Sequence, residues 1–421
     1  MYDWANSAFQ TTIVAAVFPI YYRDVAAAGL EAAVAESRYA WATTIAILIV
    51  AIVAPLLGAI ADYAAVKKRL LAIFMAIGVA ATAAMFWVER GDWQLALILL
   101  IVGNVGVAGS VVFYESLLPH LVDARDLDKV SSAGYALGYL GGGVLLAFNL
   151  AMITSPGLFG LEPGTLPVRI SLVSVAVWWL VFSIPLFRVV PEPPRRLEPG
   201  EVPGASVLRT SARRLLETFH ELRRYRQAFF LLLAFLIYND GIQTIIRMAT
   251  LYGAGIGIDR NALIAALLLT QFIGVPFAFM FGAFAGRIGA KRAVFIGLAV
   301  YAVITVLGYY MQTAAHFYAL AILVGMVQGG TQALSRSLFA SMIPRHKSSE
   351  FFAFFGVFER YAGILGPAIF AYVVQQTGTS RNAILSIIVF FVVGAFILTF
   401  VDVDEGRRAA RAGEAEAALV P

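Results

Sequence analysis

The sequence predicts an all-α membrane protein of twelve transmembrane helices, built as two six-helix bundles related by a parallel pseudo-two-fold axis. Three observations predict it. First, the 421 residues are 60% hydrophobic and only 14% charged, where a soluble domain carries about 25% charged residues. Second, apolar segments of roughly 20 residues, the length that crosses a bilayer, recur along the whole chain. Third, the second half repeats the first at a nearly constant offset.

Twelve segments fit this reading, at about 4–22, 39–61, 70–88, 93–118, 131–153, 168–188, 227–252, 262–285, 291–310, 315–342, 350–376 and 382–401. Most gaps are short and carry Gly, Pro or charge. One gap differs. Residues 189–226 contain PEPPRR and then Arg209, Arg213, Arg214, Arg223, Arg224 and Arg226, which reads as a cytoplasmic linker with a basic surface helix. The domains are therefore 1–188, the linker 189–226, and 227–403. The short, charged, Ala-rich tail 404–421 reads as disordered.

Loop charge sets the expected orientation. The odd-numbered loops and their flanks hold Arg23, Arg38, Arg90, Arg169, Arg260 and Arg381. The even-numbered loops hold Lys67, Lys68, Arg69, Arg125, Lys129, Arg287, Lys291, Arg292, Arg345 and Lys347, and the linker and tail add more. Both termini and the linker are expected on the cytoplasmic side of a bacterial-type inner or plasma membrane. The chain has no cysteine, so it can form no disulfide and no thiolate site. His120, His220, His316 and His346 are scattered. No metal, cofactor or catalytic residue is expected, and no nucleic acid, because the basic residues sit in short loops.

The repeat is visible in three places. GAIADYAAVKK from Gly58 matches GAFAGRIGAKR from Gly282, 224 residues on; Pro119 matches Pro344, and GYLGG from Gly138 matches GILGP from Gly363, each 225 residues on. Parallel repeats of this kind build carriers with a substrate site between the halves near the midplane.

Polar residues at helical spacing mark candidate lining faces. Segment 1 offers Asp3, Asn6 and Gln10. Segment 4 offers Asn104 and Glu115. Segment 7 offers Asn239, Gln243 and Arg247, with Asp240 and Thr244 beside them. Segment 10 offers Gln328, Gln332 and Arg336, with Ser335. Such residues also knit helices together at about 1 kcal/mol per contact. A charge at the bilayer centre costs at least about 3 kcal/mol and is rarely idle, which singles out Asp3, Asp240, Arg247, Glu115 and Arg336.

Twelve segments, a cytoplasmic central linker and a Gly-x-x-x-Asp loop after segment 2 resemble the major facilitator superfamily. The loop keeps Gly58, Asp62 and Lys67 but has Tyr63, Ala65 and Val66 where the pattern has basic, Gly and basic residues. The second copy keeps Gly282, Arg287, Gly289 and Lys291 but has Gly286 at the acidic position. YDWANSAF, FYESLLPHL with SSAGYALGYLGG, and QALSRSLFASMIP with EFFAFF resemble the vacuole-effluxer-like branch, whose eukaryotic members are vacuolar amino-acid effluxers linked to autophagy. The resemblance spans nearly the whole chain. It implies that segments 1, 4, 7 and 10 line the cavity, the same four that the polar spacing selects.

The expected function is a monomeric secondary transporter of small organic solutes, neutral amino acids first, working by alternating access. Arg247 would take a substrate carboxylate, and Asp3 or Asp240 an amino group. Alternatively these residues pair with each other. Glu115 and Arg336 lie just before Pro119 and Pro344, nearer the cytoplasmic end, and read as a gate. Asp62 and Lys67 join it, with Asp62 acting on the positive end of segment 11 near Ser348 and Ser349. Glu359 and Arg360 join the gate or form a structural pair. Proton coupling needs a titrating carboxylate, for which Asp3 and Asp240 qualify by position. No G-x-x-x-x-G-K-[ST] loop is present, which argues against ATP-driven transport. Two other readings are a lipid or amphiphilic-drug carrier, which the aromatic content permits, and a non-transporting receptor or scaffold, which has no use for midmembrane charges. Segment 1 has almost no residues on its cytoplasmic side. Asp3 therefore lies at the cytoplasmic mouth, or the native chain extends beyond Met1 and Asp3 lies deeper.

Overall fold

The structure is a computed structural model. It describes residues 1–123, 125–194, 225–258, 260–363, 365–377 and 379–418. Most of the linker, including its expected basic helix, lies outside the described residues.

Among the described residues all regular structure is helical. In chain order the main helices are α1 (Tyr2–Ala8), α2 (Ala32–Ala64), α3 (Lys67–Ala84), α4 (Trp93–Leu121), α5 (Leu127–Thr154), α6 (Thr165–Val189), α7 (Arg226–Gly255), α8 (Arg260–Ile288), α9 (Ala290–Tyr309), α10 (Ala314–Ser341), α11 (Ser348–Tyr361), α12 (Leu365–Thr377), α13 (Ser380–Ser386), α14 (Ile388–Thr399) and α15 (Val403–Ala418). Among the described residues ten helical stretches are long and apolar enough to cross a membrane. Large apolar side chains such as Trp41, Ile52 and Phe396 stay exposed along them, as surfaces facing lipid do.

The remaining two expected spans, segments 1 and 11, are interrupted. Segment 1 runs from α1 into a π-helical stretch Phe9–Ala16, one α-helical turn at Phe18–Tyr21 and a second π-helical stretch Tyr22–Ala26. Pro19 has no N–H to give and its ring crowds the preceding turn. The Thr11 hydroxyl donates to the carbonyls of Ser7 and Ala8, 3.2 and 3.3 Å away, which loosens the ladder there. Segment 11 breaks between α11 and α12, where Gly363 takes φ +95°.

The chain divides into two compact units, Met1–Leu117 with Leu137–Arg195, and Leu118–Ala136 with Arg196–Pro421. This places 118–136 in the second unit rather than with the first six helices. The ties are specific. Ser131 Oγ donates to the Ala333 carbonyl at 2.7 Å, Ser337 Oγ donates to Asp128 Oδ1 at 2.5 Å, and His120 Nε2 lies 3.2 Å from Ser348 Oγ.

In the first unit the core centres on buried Trp179. A Cβ on Gly78 would come within 2.5 Å of its ring, and one on Gly106 within 2.5 Å of Gly78. In the second, Tyr301 stacks on Phe391 at 5.1 Å, and Phe339 packs among Phe351, Phe352 and Phe355. Lipid supplies no hydrophobic drive between helices, so close approach through small residues carries the packing.

Both units close with the same device. In the first, Lys68 Nζ donates to the Phe187 carbonyl at 3.1 Å and to that of Val190, at the end of α6. In the second, Lys291 Nζ donates to the carbonyls of Thr399 and Val401 at 3.1 and 2.6 Å, at the end of α14 and just past it. Each lysine caps the orphan carbonyls of its bundle's last helix.

The tail corrects an expectation. Residues 404–421 read as disordered, yet Val403–Ala418 is a helix. Its buried positions Gly406, Ala410, Gly413 and Ala417 form one face at helical spacing. A Cβ on Gly406 would meet Met342 Sδ at 2.6 Å, and one on Gly413 the Tyr225 hydroxyl at 2.3 Å. Gln227 Nε2 donates to Glu405 Oε2 at 2.6 Å, and the Arg345 N–H to Glu414 Oε1 at 3.0 Å. The Glu405 N–H, 2.9 Å from Asp402 Oδ1, caps the helix and holds the Asp402 carboxyl below its usual range. Small residues and charges gave the segment a disordered composition, and docking against α7 and α10 supplies the order.

Ala65 ends α2 at φ 53° in the left-handed region, where Gly289 of the second copy takes φ +91°. A left-handed L-residue costs about 1–2 kcal/mol, partly offset by the entropy a glycine would lose on folding. Ala65→Gly is therefore expected to raise the thermal midpoint in detergent, with a gain of about 1 kcal/mol. A lowered midpoint would show that Ala65 makes a contact worth more than its strain.

Candidate functional site

The second unit holds the clearest constellation, on one face of α7. Asp240 reaches the start of α12, where its Oδ2 accepts the Leu365 N–H at 3.1 Å and its Oδ1 the Gly366 N–H at 2.7 Å. Thr244 Oγ1 lies 3.4 Å from the same Oδ1. Two turns along, Arg247 Nη1 donates to the Gly363 carbonyl at 3.2 Å. An acid thus sits at the positive end of α12, and a base meets a carbonyl just past the end of α11, the compensation that helix termini favour. The two side chains do not pair with each other; both hold the same break. A Cβ on Gly366 would meet Thr244 Oγ1 at 1.8 Å, and one on Gly363 would meet Gln243 Cβ at 3.1 Å. The GILGP motif therefore needs its glycines for close approach to α7. Arg247 remains exposed, with most of its donors uncommitted to main chain.

Asn239 and Gln332 meet, Gln332 Nε2 donating to Asn239 Oδ1 at 3.4 Å. Beside them Tyr238 Oη and Ser335 Oγ are 2.5 Å apart. Arg336 is buried. Its Nε donates to Ser131 Oγ at 2.9 Å and its Nη2 to the Ser131 carbonyl at 3.0 Å, and its guanidinium lies 4.6 Å from the Tyr135 ring centroid. Gln328 is half-buried on α10, facing a cavity. Glu359 is half-buried in α11; the side chain of Arg360 lies outside the described residues.

In the first unit Asp3 Oδ2 accepts the Tyr114 hydroxyl at 2.5 Å, and the Tyr2 ring packs on Tyr114 at 4.7 Å. Trp4 stacks on Trp178 at 5.5 Å, and the Trp178 indole N–H donates to the Trp4 carbonyl. The glycines of GYLGGG let α1 lie against α5. A Cβ on Gly138 would come within 2.7 Å of Ser7 Oγ, one on Gly141 within 2.5 Å of the Trp4 carbonyl, and one on Gly142 within 2.9 Å of Thr11. Asn6 is buried and Gln10 exposed. Asn104 donates to the Leu100 carbonyl of its own helix at 2.9 Å, and Glu115 is buried. Lys67 Nζ lies 2.7 Å from Asp62 Oδ1, both buried, so each offsets the other's desolvation.

Sequence reasoning missed several partners. Ser131, Tyr135, Asp128, Ser337 and Tyr114 carry no periodic signal of their own. The main-chain groups of Gly363, Leu365 and Gly366 have one, the GILGP motif, which marks a helix break as well as a repeat.

Residues 25–411 match the family described as "Vacuole effluxer Atg22 like". The MFS-type transporter YxiO of Bacillus subtilis is 36% identical over 408 residues, covering 95% of this chain and 93% of the relative. Autophagy-related protein 22 of Yarrowia lipolytica is 26% identical over 308 residues, covering 67% of this chain and 51% of the relative. Among solved structures, the major facilitator superfamily proton:xylose symporter XylE bound to 6-bromo-6-deoxy-D-glucose matches with a TM-score of 0.72 over 98% of this chain and 97% of that one, at 17% identity. At that identity the likeness shows the fold alone, and the fold is the major facilitator fold.

The cap at the break makes a testable statement. Asp240→Ala leaves two N–H groups at the start of α12 without their acceptor, and is expected to destabilise the protein by about 2 kcal/mol or more. Asp240→Asn keeps one acceptor oxygen and is expected to cost about half as much. Thermal unfolding in detergent checks both, and midpoints equal to that of the unaltered protein would remove the capping role.

Proposed function

Because the chain belongs to the vacuole effluxer Atg22-like family of major facilitator transporters, we propose that it is a secondary carrier of small organic solutes and that neutral amino acids are its substrates. The observation that supports this reading is the broken segment 11 with Asp240 and Arg247 at its two sides. An acid and a base on one helix face, seven residues apart, match a ligand carrying one negative and one positive charge. The exposed guanidinium of Arg247 binds the substrate carboxylate, with donors left over after its bond to Gly363. Asp240, while it caps α12, faces the amino group. Interrupted helices are where transporter folds build their binding sites, because main chain at membrane depth is tolerated only where protein or water meets it.

Coupling to protons is part of the proposal. Movement of a zwitterion against its gradient needs an energy source, and a titrating carboxylate supplies it by exchanging a proton between the two sides. Asp3, bonded to Tyr114, and Asp240 are the candidates. The termini and the linker lie on the cytoplasmic side, following the loop charges.

Uptake of labelled amino acids into proteoliposomes, with and without a pH gradient, tests the reading. A neutral amino acid is expected to accumulate, faster with the gradient. Arg247→Gln is expected to weaken substrate binding by about 2 kcal/mol, roughly thirtyfold, by losing a charge-assisted pair. If no amino acid moves and none raises the thermal midpoint, the substrate assignment fails. If Asp240→Asn transports with unaltered proton dependence, the coupling group is not Asp240.

A further inference from the structure

The second unit holds a partly open cavity of about 120 Å³, separate in its lining from Asp240 and Arg247. It lies where the C-terminal ends of α7 and α9 meet the N-terminal parts of α8 and α10. Its walls are apolar and soft, with Ile246, Tyr252, Leu267, Met311 and Phe317 among them, and no charged side chain among the described residues lines it.

The hydroxyls in the wall are already committed to main chain. Tyr252 donates to the Gly308 carbonyl at 2.7 Å and Thr305 to that of Ala302 at 2.7 Å. Thr270 reaches the carbonyls of Ala266 and Ala321 at 3.0 and 3.2 Å. Two carboxamides remain, Gln271 on α8 and Gln328 on α10. Both are half-buried, and neither is hydrogen-bonded to another described residue. An amide withdrawn from water into an apolar wall loses free energy unless something in the cavity restores its bonds.

We infer that this cavity is a binding site for a neutral, single-ring amphiphile, an aromatic body with one amide or alcohol group that Gln271 and Gln328 grip. Size admits one ring and no larger body, since an apolar cavity of about 150 Å³ holds benzene and this one measures about 120 Å³, with an open side that leaves room for the head. Aromatic and thioether walls favour a ring further. Charge selects the head. An ion or zwitterion would enter without a counter-charge and is excluded. The ligand therefore differs in class from the zwitterion assigned to Arg247, and the inference does not rest on the transport reading.

The test uses the full chain in lipid nanodiscs, with tritiated benzamide as the probe and benzoate as its charged counterpart. Saturable benzamide binding that benzoate does not displace is expected. The pair Gln271→Leu with Gln328→Leu is expected to weaken it about tenfold, and Ala321→Phe, which fills the cavity, to abolish it. Uptake that does not saturate, and is the same in Ala321→Phe, overturns the site in favour of partition into lipid or a cavity holding water only. Displacement by benzoate overturns the neutral assignment, and unchanged affinity in the leucine pair overturns the grip. If Ala321→Phe does not fold, the leucine pair, close in volume to the original, decides.

Discussion

In a bilayer every main-chain polar group must find its partner inside the protein, and the rest of this structure answers to that constraint. Among the described residues, nine spans meet it with one main helix each, and segment 12 does so across a single turn at Ile387. The two that do not are held by named side chains. At the segment 11 break, Asp240 takes the N–H groups of Leu365 and Gly366, while Arg247 takes the Gly363 carbonyl. In segment 1, Thr11 bonds carbonyls of its own turn and the Gly142 carbonyl of α5. The residues that repair broken main chain are also the charged and polar residues that a carrier would use. In the proposed carrier, repair and recognition draw on the same side chains.

The two units solve shared problems with unequal residues. In the first copy of the loop motif Asp62 engages Lys67, so the neighbouring Lys68 caps the last helix. In the second copy Gly286 stands at the acidic position, and Lys291, the counterpart of Lys67, does the capping. The missing acid at Gly286 thus has a physical reassignment beside it. The GYLGG and GILGP copies diverge in the same way. Both press glycine against the first helix of their half, yet α5 continues through its copy and segment 11 breaks at its own.

The fold class was legible because it rests on signals that survive averaging over many residues, namely apolar length, loop charge and a constant repeat offset. The family was legible because its motifs are contiguous. The pairing of Asn239 with Gln332 was legible in part, since both stood on lining faces chosen by spacing. What was not legible depends on partners distant in sequence or on main chain. Nothing in the run around Asp240 says that its oxygens point to N–H groups 125 and 126 residues away. Arg336 shows a charge in an apolar helix but not that Ser131 and Tyr135 receive it. The tail failed for another reason. Its docking face is made of Gly and Ala, which carry almost no hydropathy, so close approach rather than apolar area orders it.

Helix α7 gathers these threads. Its positions 240, 243, 244 and 247 form one face, polar and turned to the broken segment 11. Positions 245, 249 and 252 form another, lining an uncharged cavity. The helical period keeps the two sets apart while tying them to one rigid rod. A ligand on either face therefore acts on the same helix, whose far end, at Tyr225 and Gln227, carries the tail helix. Binding in the cavity would bias the zwitterion face only if it shifted α7 between two arrangements, because coupling between sites requires an element that both ligands bias. Helix α7 touches the charged break, the neutral cavity and the docked tail.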